Sequence, residues 1–75
     1  MRVTFNFELP DDASDLALAQ HGANLWHSLW DYDQWLRNHI KHGEHTEEVF
    51  DALQMCRDKI HELLSDNNTG LDIVP

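Results

Sequence analysis

The sequence predicts a mainly α-helical fold of the α+β class: an amino-terminal β-strand followed by an antiparallel two-helix hairpin. Apolar and polar residues alternate near the amino terminus with the two-residue period of a half-buried strand. Farther along, apolar residues recur every three or four positions over two segments that a glycine separates. Because 75 residues hold one core at most, we expect a single β-α-α domain over residues 1–75.

The strand is predicted over residues 2–8, and Pro10 ends it. Its backbone groups need partners, which leaves three alternatives: the carboxyl-terminal tail, the same strand of a second molecule, or the sheet edge of another protein. The β-branched residues of the tail, 71–75, predict a short strand. Pairing of the two terminal strands would give a small sheet.

Turn and capping residues set the predicted limits of the helices. The first helix is expected to begin near residues 10–12 and to run to His42, with Gly43 as a left-handed cap. Thr46 and the two glutamates that follow it predict the start of the second helix. The polar segment 65–70 ends that helix.

The first helix carries more apolar surface than one small core covers. One stripe contains Leu18, Leu25, Leu29, Tyr32, Leu36 and Ile40, a second contains Ala19, Ala23, Trp26 and Trp30, and Trp35 flanks the other edge. Gly22 lies beside the first stripe, where a neighbour could approach closely. A helix this apolar needs another layer or another molecule, so we expect a homo-oligomer, most simply a dimer.

The residues predicted to form this interface are three tryptophans and two charged residues. Trp26 and Trp30 are either core residues or interface anchors, whereas Trp35 points away from them and is expected to contact another chain or to stay partly exposed. Asp33 and Arg37 are one turn apart and are expected to pair. That pair is either an ordinary intrahelical salt bridge or a charged pair that fixes the register of a protein interface.

Charge limits the classes of partner. The 14 acidic residues outnumber the 5 basic ones and give a net charge of −9, which excludes direct nucleic-acid binding and an anionic membrane surface and favours a basic protein. No segment has the roughly 20 apolar residues of a membrane span, and the first residues lack the apolar centre of a secretion signal. Cys56, the single cysteine, is expected to be buried on the apolar face of the second helix, and the absence of a disulfide framework favours a reducing cytoplasm.

The sequence carries no catalytic motif. His39, His42 and His45 follow a three-residue spacing that could suit zinc or nickel, but solvated loop histidines are the simpler interpretation because Gly43 separates the last two. No Ser-His-Asp arrangement, phosphate loop or dinucleotide fingerprint is present. We therefore expect a protein that is not an enzyme and has no cofactor.

Two segments carry a resemblance to a known group of proteins. Phe5–Pro10, with the pattern Phe-x-Phe-Glu-Leu-Pro, and Leu29–Arg37 on the first helix resemble small uncharacterised acidic accessory proteins of tailed bacteriophages. The resemblance implies a phage gene product that acts in the cytoplasm of the bacterial host against a host or defence protein. It implies no catalytic residues.

Three functions follow from these observations. The first is a non-enzymatic protein-binding module that occludes a basic surface of a host or defence protein. The second is a structural or assembly protein that binds copies of itself. The third is an oligomer that sequesters a small ligand in a basic niche built from Arg37, Lys41, Arg57 and Lys59.

Overall fold

The computed structural model describes residues 1–74 and forms a helical hairpin. Helix α1 spans Ala13–His42 and helix α2 spans Glu47–Asp66, and a single 3-10 turn follows at Leu71–Ile73. The prediction of a mainly helical protein built on a two-helix hairpin is confirmed. At 1.5 Å per residue, the 30 residues of α1 make it about 15 Å longer than the 20-residue α2. One end of α1 therefore extends beyond its partner.

The predicted strands do not form, so the β-α-α description is corrected to an α-α hairpin with a terminal turn. Within residues 1–74 no residue lies in a strand, and residues 1–8 are irregular. The alternating pattern has no second strand to pair with, and an isolated strand is not stable in water. The tail forms the 3-10 turn instead because Leu71 is buried against α1; Pro75, the last residue of the predicted tail strand, lies outside the described residues.

The start of α1 and the turn between the helices differ in detail from the prediction. Helix α1 begins at Ala13, after a turn in which the backbone N–H of Glu8 donates to the Asp12 carboxylate at 2.8 Å. Gly43 is extended, with φ −77° and ψ 155°, so the predicted left-handed cap is wrong. A glycine is needed at position 43 for steric reasons, because an added Cβ would lie 2.5 Å from the His39 carbonyl oxygen.

The capping of α2 follows the sequence prediction. The Thr46 hydroxyl accepts a hydrogen bond from the backbone N–H of Val49 at 3.3 Å, which confirms the predicted N-cap. At the other end Asn68 has φ 57°, the left-handed conformation that stops a helix. The N–H of Thr69 then donates to the carbonyl of Leu64 at 2.9 Å.

The hairpin encloses a very small core. Among the described residues the buried apolar side chains are Leu36 and Leu71. Cys56 is exposed, so its predicted burial is wrong. Leu64 lies near the middle of the face of α2 that contacts α1. At 100° per residue Cys56 lies about 80° from Leu64, outside the arc that α1 covers. The radius of gyration is 16.8 Å, against about 11 Å for a compact chain of this length, so the subunit is elongated.

Neither helix within residues 1–74 combines the length and apolar character needed to cross a bilayer.

Candidate functional site

The two helices are joined by an ion cluster centred on Asp33 of α1. The Arg57 Nε donates to Asp33 Oδ1 at 3.0 Å, and Arg57 Nη2 donates to Oδ2 at 3.3 Å. His61 Nε2 lies 2.9 Å from Oδ1. An ionised carboxylate only accepts hydrogen bonds, so His61 carries its proton on Nε2 in this arrangement. One buried carboxylate thus holds two side chains of α2.

The environment of Asp33 favours its charged form. Burial by itself would raise the pKa of the carboxyl, since the side chain is only 4% exposed. The hydrogen bonds from Arg57 and His61, together with their charges, outweigh the burial and hold the pKa of Asp33 below its usual 3.8. The same hydrogen bond raises the pKa of the Arg57 guanidinium. The pair therefore stays charged at neutral pH and links α1 to α2 through an ion pair.

The predicted pairing of Asp33 with Arg37 is wrong. Asp33 faces α2, where Arg57 lies close enough for two hydrogen bonds, and Arg37 takes part in no ion pair within residues 1–74. Asp33 and Arg57 lie 24 residues apart on different helices, so the periodicity of one helix does not predict their contact. The sequence feature that indicates a buried partner is a single arginine on the apolar face of α2, beside Leu53 and Leu64.

The residues predicted to form the interface have different surroundings. Asp33 is buried inside the hairpin, and Trp26 and Arg37 are half-buried. The ring centres of Trp26 and Trp30 are 6.4 Å apart, and the Trp26 Nε1 is enclosed without a hydrogen-bond partner in the described part of the chain. Trp30 is 41% exposed and Trp35 is 52% exposed. At least one indole was expected at the surface, and two of them, Trp30 and Trp35, lie there.

A row of aromatic rings leads from the middle of α1 around the turn to α2. Its members are Tyr32, Trp35, His39, His45 and Phe50, with successive ring centres 4.3–6.2 Å apart. Each contact joins two rings that are near neighbours along the chain or face each other across the turn. This row stabilises the closed end of the hairpin, where the backbone reverses.

Two of the three candidate metal-binding histidines lie side by side. His39 Nδ1 is 3.0 Å from His45 Nε2, so one ring donates its proton to the other. His42 takes no part in this hydrogen bond; together with Asn38, His39 and Gly43 it lines a pocket of about 210 Å³. Within residues 1–74 no three histidine, cysteine or carboxylate side chains are grouped closely enough to hold a metal ion.

An apolar groove runs along the open end of the hairpin, where α1 extends beyond α2. Leucines of α1 form one wall and the last turns of α2 form the other. The groove encloses about 900 Å³ and is lined by Leu18, Leu25, Leu29, Ile60, Leu63, Leu64, Asn67 and Thr69. Leu18, Leu25 and Leu63 are each at least half exposed. This groove is an apolar surface of the two helices that the subunit leaves uncovered.

The opposite face of α2 is acidic. Glu47, Asp51, Asp58 and Glu62 are all exposed, and at 100° per residue they lie within an arc of about 60°. We call these four residues the acidic stripe. Between Glu47 and Glu62 it is about 22 Å long. Lys59 pairs with Glu62 at 3.3 Å, and the other three members have no ion-pair partner among the described residues.

The four cations of the candidate ligand niche do not form one group. Arg57 is held by Asp33, and Lys59 is held by Glu62. Two of the four cations are thus each compensated by a carboxylate of this chain.

Comparisons of the chain with protein-family models, with curated proteins and with solved structures found no significant match.

Proposed function

We propose that this protein is a non-enzymatic binding module that uses the acidic stripe of α2 to cover a basic surface of another protein. The observation that carries the proposal is the arrangement of charge. Twelve of the 14 carboxylates are exposed, whereas the most buried one, Asp33, is neutralised inside the hairpin by Arg57. The negative charge of the chain is therefore available at its surface.

The stripe is a rigid element. It lies on a helix whose first turn is capped by Thr46 and whose middle is fixed to α1 through Arg57. Fixed charges on a helix lose little side-chain and backbone freedom on binding, so they complement a basic surface more efficiently than charges on a loop. Complementary charge mainly raises the association rate and the specificity of a complex.

A row of carboxylates on a helix suits a surface that normally binds a phosphate backbone. Glu47 and Asp51 are about 6 Å apart along the axis, as are Asp58 and Glu62. A nucleic-acid-binding groove presents lysine and arginine side chains to a similar row of negative charges. Occupation of that groove by the stripe would block nucleic acid by direct competition. The resemblance to small phage proteins directs the search for this partner to basic proteins of a bacterial host.

The proposal is tested by capture from a bacterial lysate with a variant that lacks three charges of the acidic stripe. The variant carries Glu47→Gln, Asp51→Asn and Asp58→Asn, which keep the size of each side chain and remove three charges. Its control carries Glu8→Gln, Asp11→Asn and Asp31→Asn, three exposed carboxylates outside α2. Both variants have the same net charge, so any difference between them reports the position of the charges.

We expect the wild type and the control to retain the same basic protein, and the stripe variant to lose it. Raising the ionic strength from about 50 mM to about 500 mM should weaken the complex at least tenfold, because salt screens exposed charges. Nucleic acid added to the purified complex should displace this protein from its partner. Equal retention by the two variants, or a complex indifferent to salt, would refute the electrostatic mechanism.

A further inference from the structure

We infer that the apolar groove at the open end of the hairpin is covered by a second copy of this chain, with the two α1 helices packed antiparallel. The groove lies on the opposite side of α2 from the acidic stripe, so this inference is independent of the proposed function. A dimer of this kind would leave both acidic stripes free. Three features support the inference: the spacing of apolar residues along α1, the lack of charged residues in part of α1, and the surface area of the subunit.

The apolar residues of α1 are spaced as in a helix that packs along another helix. Positions 18, 22, 25, 29, 32 and 36 follow intervals of four and three residues, and they are occupied by Leu18, Gly22, Leu25, Leu29, Tyr32 and Leu36. The hairpin covers only the end of this seam, since Leu36 is buried while Leu18 and Leu25 are more than half exposed. The seam thus continues about four turns beyond the part that its own subunit buries.

The exposed part of the seam is free of charge. The segment 16–30 contains no Asp, Glu, Lys or Arg, in a chain in which 25% of the residues are charged. Depletion of charged residues marks the centre of protein interfaces. A second copy, itself at a net charge of −9, could approach here with the least repulsion.

The area left uncovered is large enough for a stable dimer. The accessible surface of the subunit is 6473 Å², whereas a compact monomer of 8.8 kDa exposes about 4800 Å². A stable interface of ordinary size removes about 800 Å² from each partner. The excess is about twice that amount, so one such interface is accommodated even with residues 1–8 left exposed.

Two observations favour the antiparallel arrangement. An added Cβ at Gly22 would meet nothing within 4 Å in its own subunit, so the glycine leaves room for a side chain of the second copy. An antiparallel register centred between Ala23 and Asn24 places Leu25 of the second copy opposite Gly22. The same register holds the two Asp15 side chains about 26 Å apart along the axis, well beyond the screening length, whereas a parallel dimer would bring the acidic ends together.

The mass of the full chain in solution, measured by sedimentation equilibrium, tests the interface with three variants. Gly22→Met fills the space reserved for the second copy and is compatible with a helix. Leu25→Glu places a charge in the seam, and Met55→Glu places the same charge at an exposed position outside the groove. Circular dichroism of each variant reports whether the helices remain.

We expect the wild type and Met55→Glu to be dimers at micromolar concentration, and Gly22→Met and Leu25→Glu to dissociate at least tenfold more readily with their helices intact. A wild type that remains at 8.8 kDa up to millimolar concentration overturns the inference. So does a dimer that neither seam variant weakens. If Leu25→Glu loses its helices, the result for Gly22→Met decides, since a Cβ at that position would meet nothing within 4 Å.

The orientation is tested by a distance between spin labels. Ser14→Cys in a Cys56→Ser background carries one label on each copy near the exposed start of α1. The antiparallel register separates the two backbone positions by about 28 Å along the axis, whereas a parallel dimer holds them about 10 Å apart. The longer distance supports the arrangement, and the shorter one overturns it.

Discussion

At the scale of single residues, Asp33 holds the hairpin together. Its carboxylate accepts hydrogen bonds from Arg57 and His61, and it is the buried charged residue among those described. Burying a charge is unfavourable unless the charge is paired and hydrogen-bonded. The stability of the hairpin therefore depends on the partners of Asp33 more than on an ordinary surface ion pair.

Removal of the arginine partner should destabilise the protein measurably. Arg57→Met keeps much of the side-chain length but leaves Asp33 with His61 as its one remaining partner. We expect the free energy of unfolding to fall by about 2–3 kcal/mol, because a buried carboxylate loses its main counter-charge. Urea unfolding followed by circular dichroism measures the change.

Lys59→Met is the matched control, since it removes the same charge from the same helix. Lys59 and Glu62 are both about 60% exposed, so their pair contributes less than about 1 kcal/mol. Equal destabilisation by the two variants would contradict the role assigned to Asp33.

The pH dependence gives a second test of the same cluster. Because the pKa of Asp33 is lowered in the folded state, its contribution to stability is complete above the usual value of 3.8 and is lost as the pH falls through the lowered pKa. The difference in stability between the wild type and Arg57→Met should therefore shrink as the pH falls from neutral to about 2.5. A difference that stays constant over this range would show that Arg57 acts through packing and not through charge.

At the scale of secondary-structure elements, the sequence predicted what local chemistry decides. The two helices, the Thr46 cap and the end of α2 depend on periodicity and on residues within one turn, and these were confirmed. The strand over residues 2–8 was not, because alternation describes one strand but does not supply its partner. The exposure of Cys56 depends on which arc of α2 faces α1, which periodicity fixes only to within about a quarter turn.

The turn between the helices should be intolerant of an added methyl group. Gly43 is not strained, but a Cβ at this position would lie 2.5 Å from the His39 carbonyl oxygen and 2.6 Å from His45 Nε2. We expect Gly43→Ala to lower the free energy of unfolding by about 1–3 kcal/mol, because backbone atoms would have to move. Glu44→Ala, at the next and exposed position, should change it by less than about 0.5 kcal/mol. Thermal unfolding of both variants measures these changes. A Gly43→Ala variant as stable as the Glu44→Ala control would contradict the steric role of Gly43.

At the scale of the whole molecule, the hairpin is an elongated unit with two unlike surfaces. The groove of α1 and α2 is apolar, and the outer face of α2 carries the acidic stripe. The excess of apolar surface on the first helix was evident from its sequence. Its location was not, because the predicted interface centred on the tryptophans, whereas the uncovered seam consists mainly of leucines around Gly22. Which part of a helix stays uncovered depends on the length of its partner, and α2 is ten residues shorter than α1.

The same reasoning explains why Asp33 could not be assigned correctly from sequence. On a helical wheel it lies beside Trp26 and Trp30, which suggested a surface charge within an interface. In the hairpin it faces Arg57, 24 residues away along the chain. A contact of this kind follows from the register of the two helices, and register depends on the turn, which the sequence defines only approximately.

We claim that one copy leaves too much apolar surface uncovered and that a second copy covers it. The dependence of the thermal unfolding midpoint on protein concentration tests this claim most directly. If folding and association are linked, a hundredfold rise in concentration stabilises the dimer by about 2.7 kcal/mol. For a chain of this size we expect the midpoint to rise by roughly 5 °C or more over that range. A midpoint that is the same at every concentration would contradict the claim.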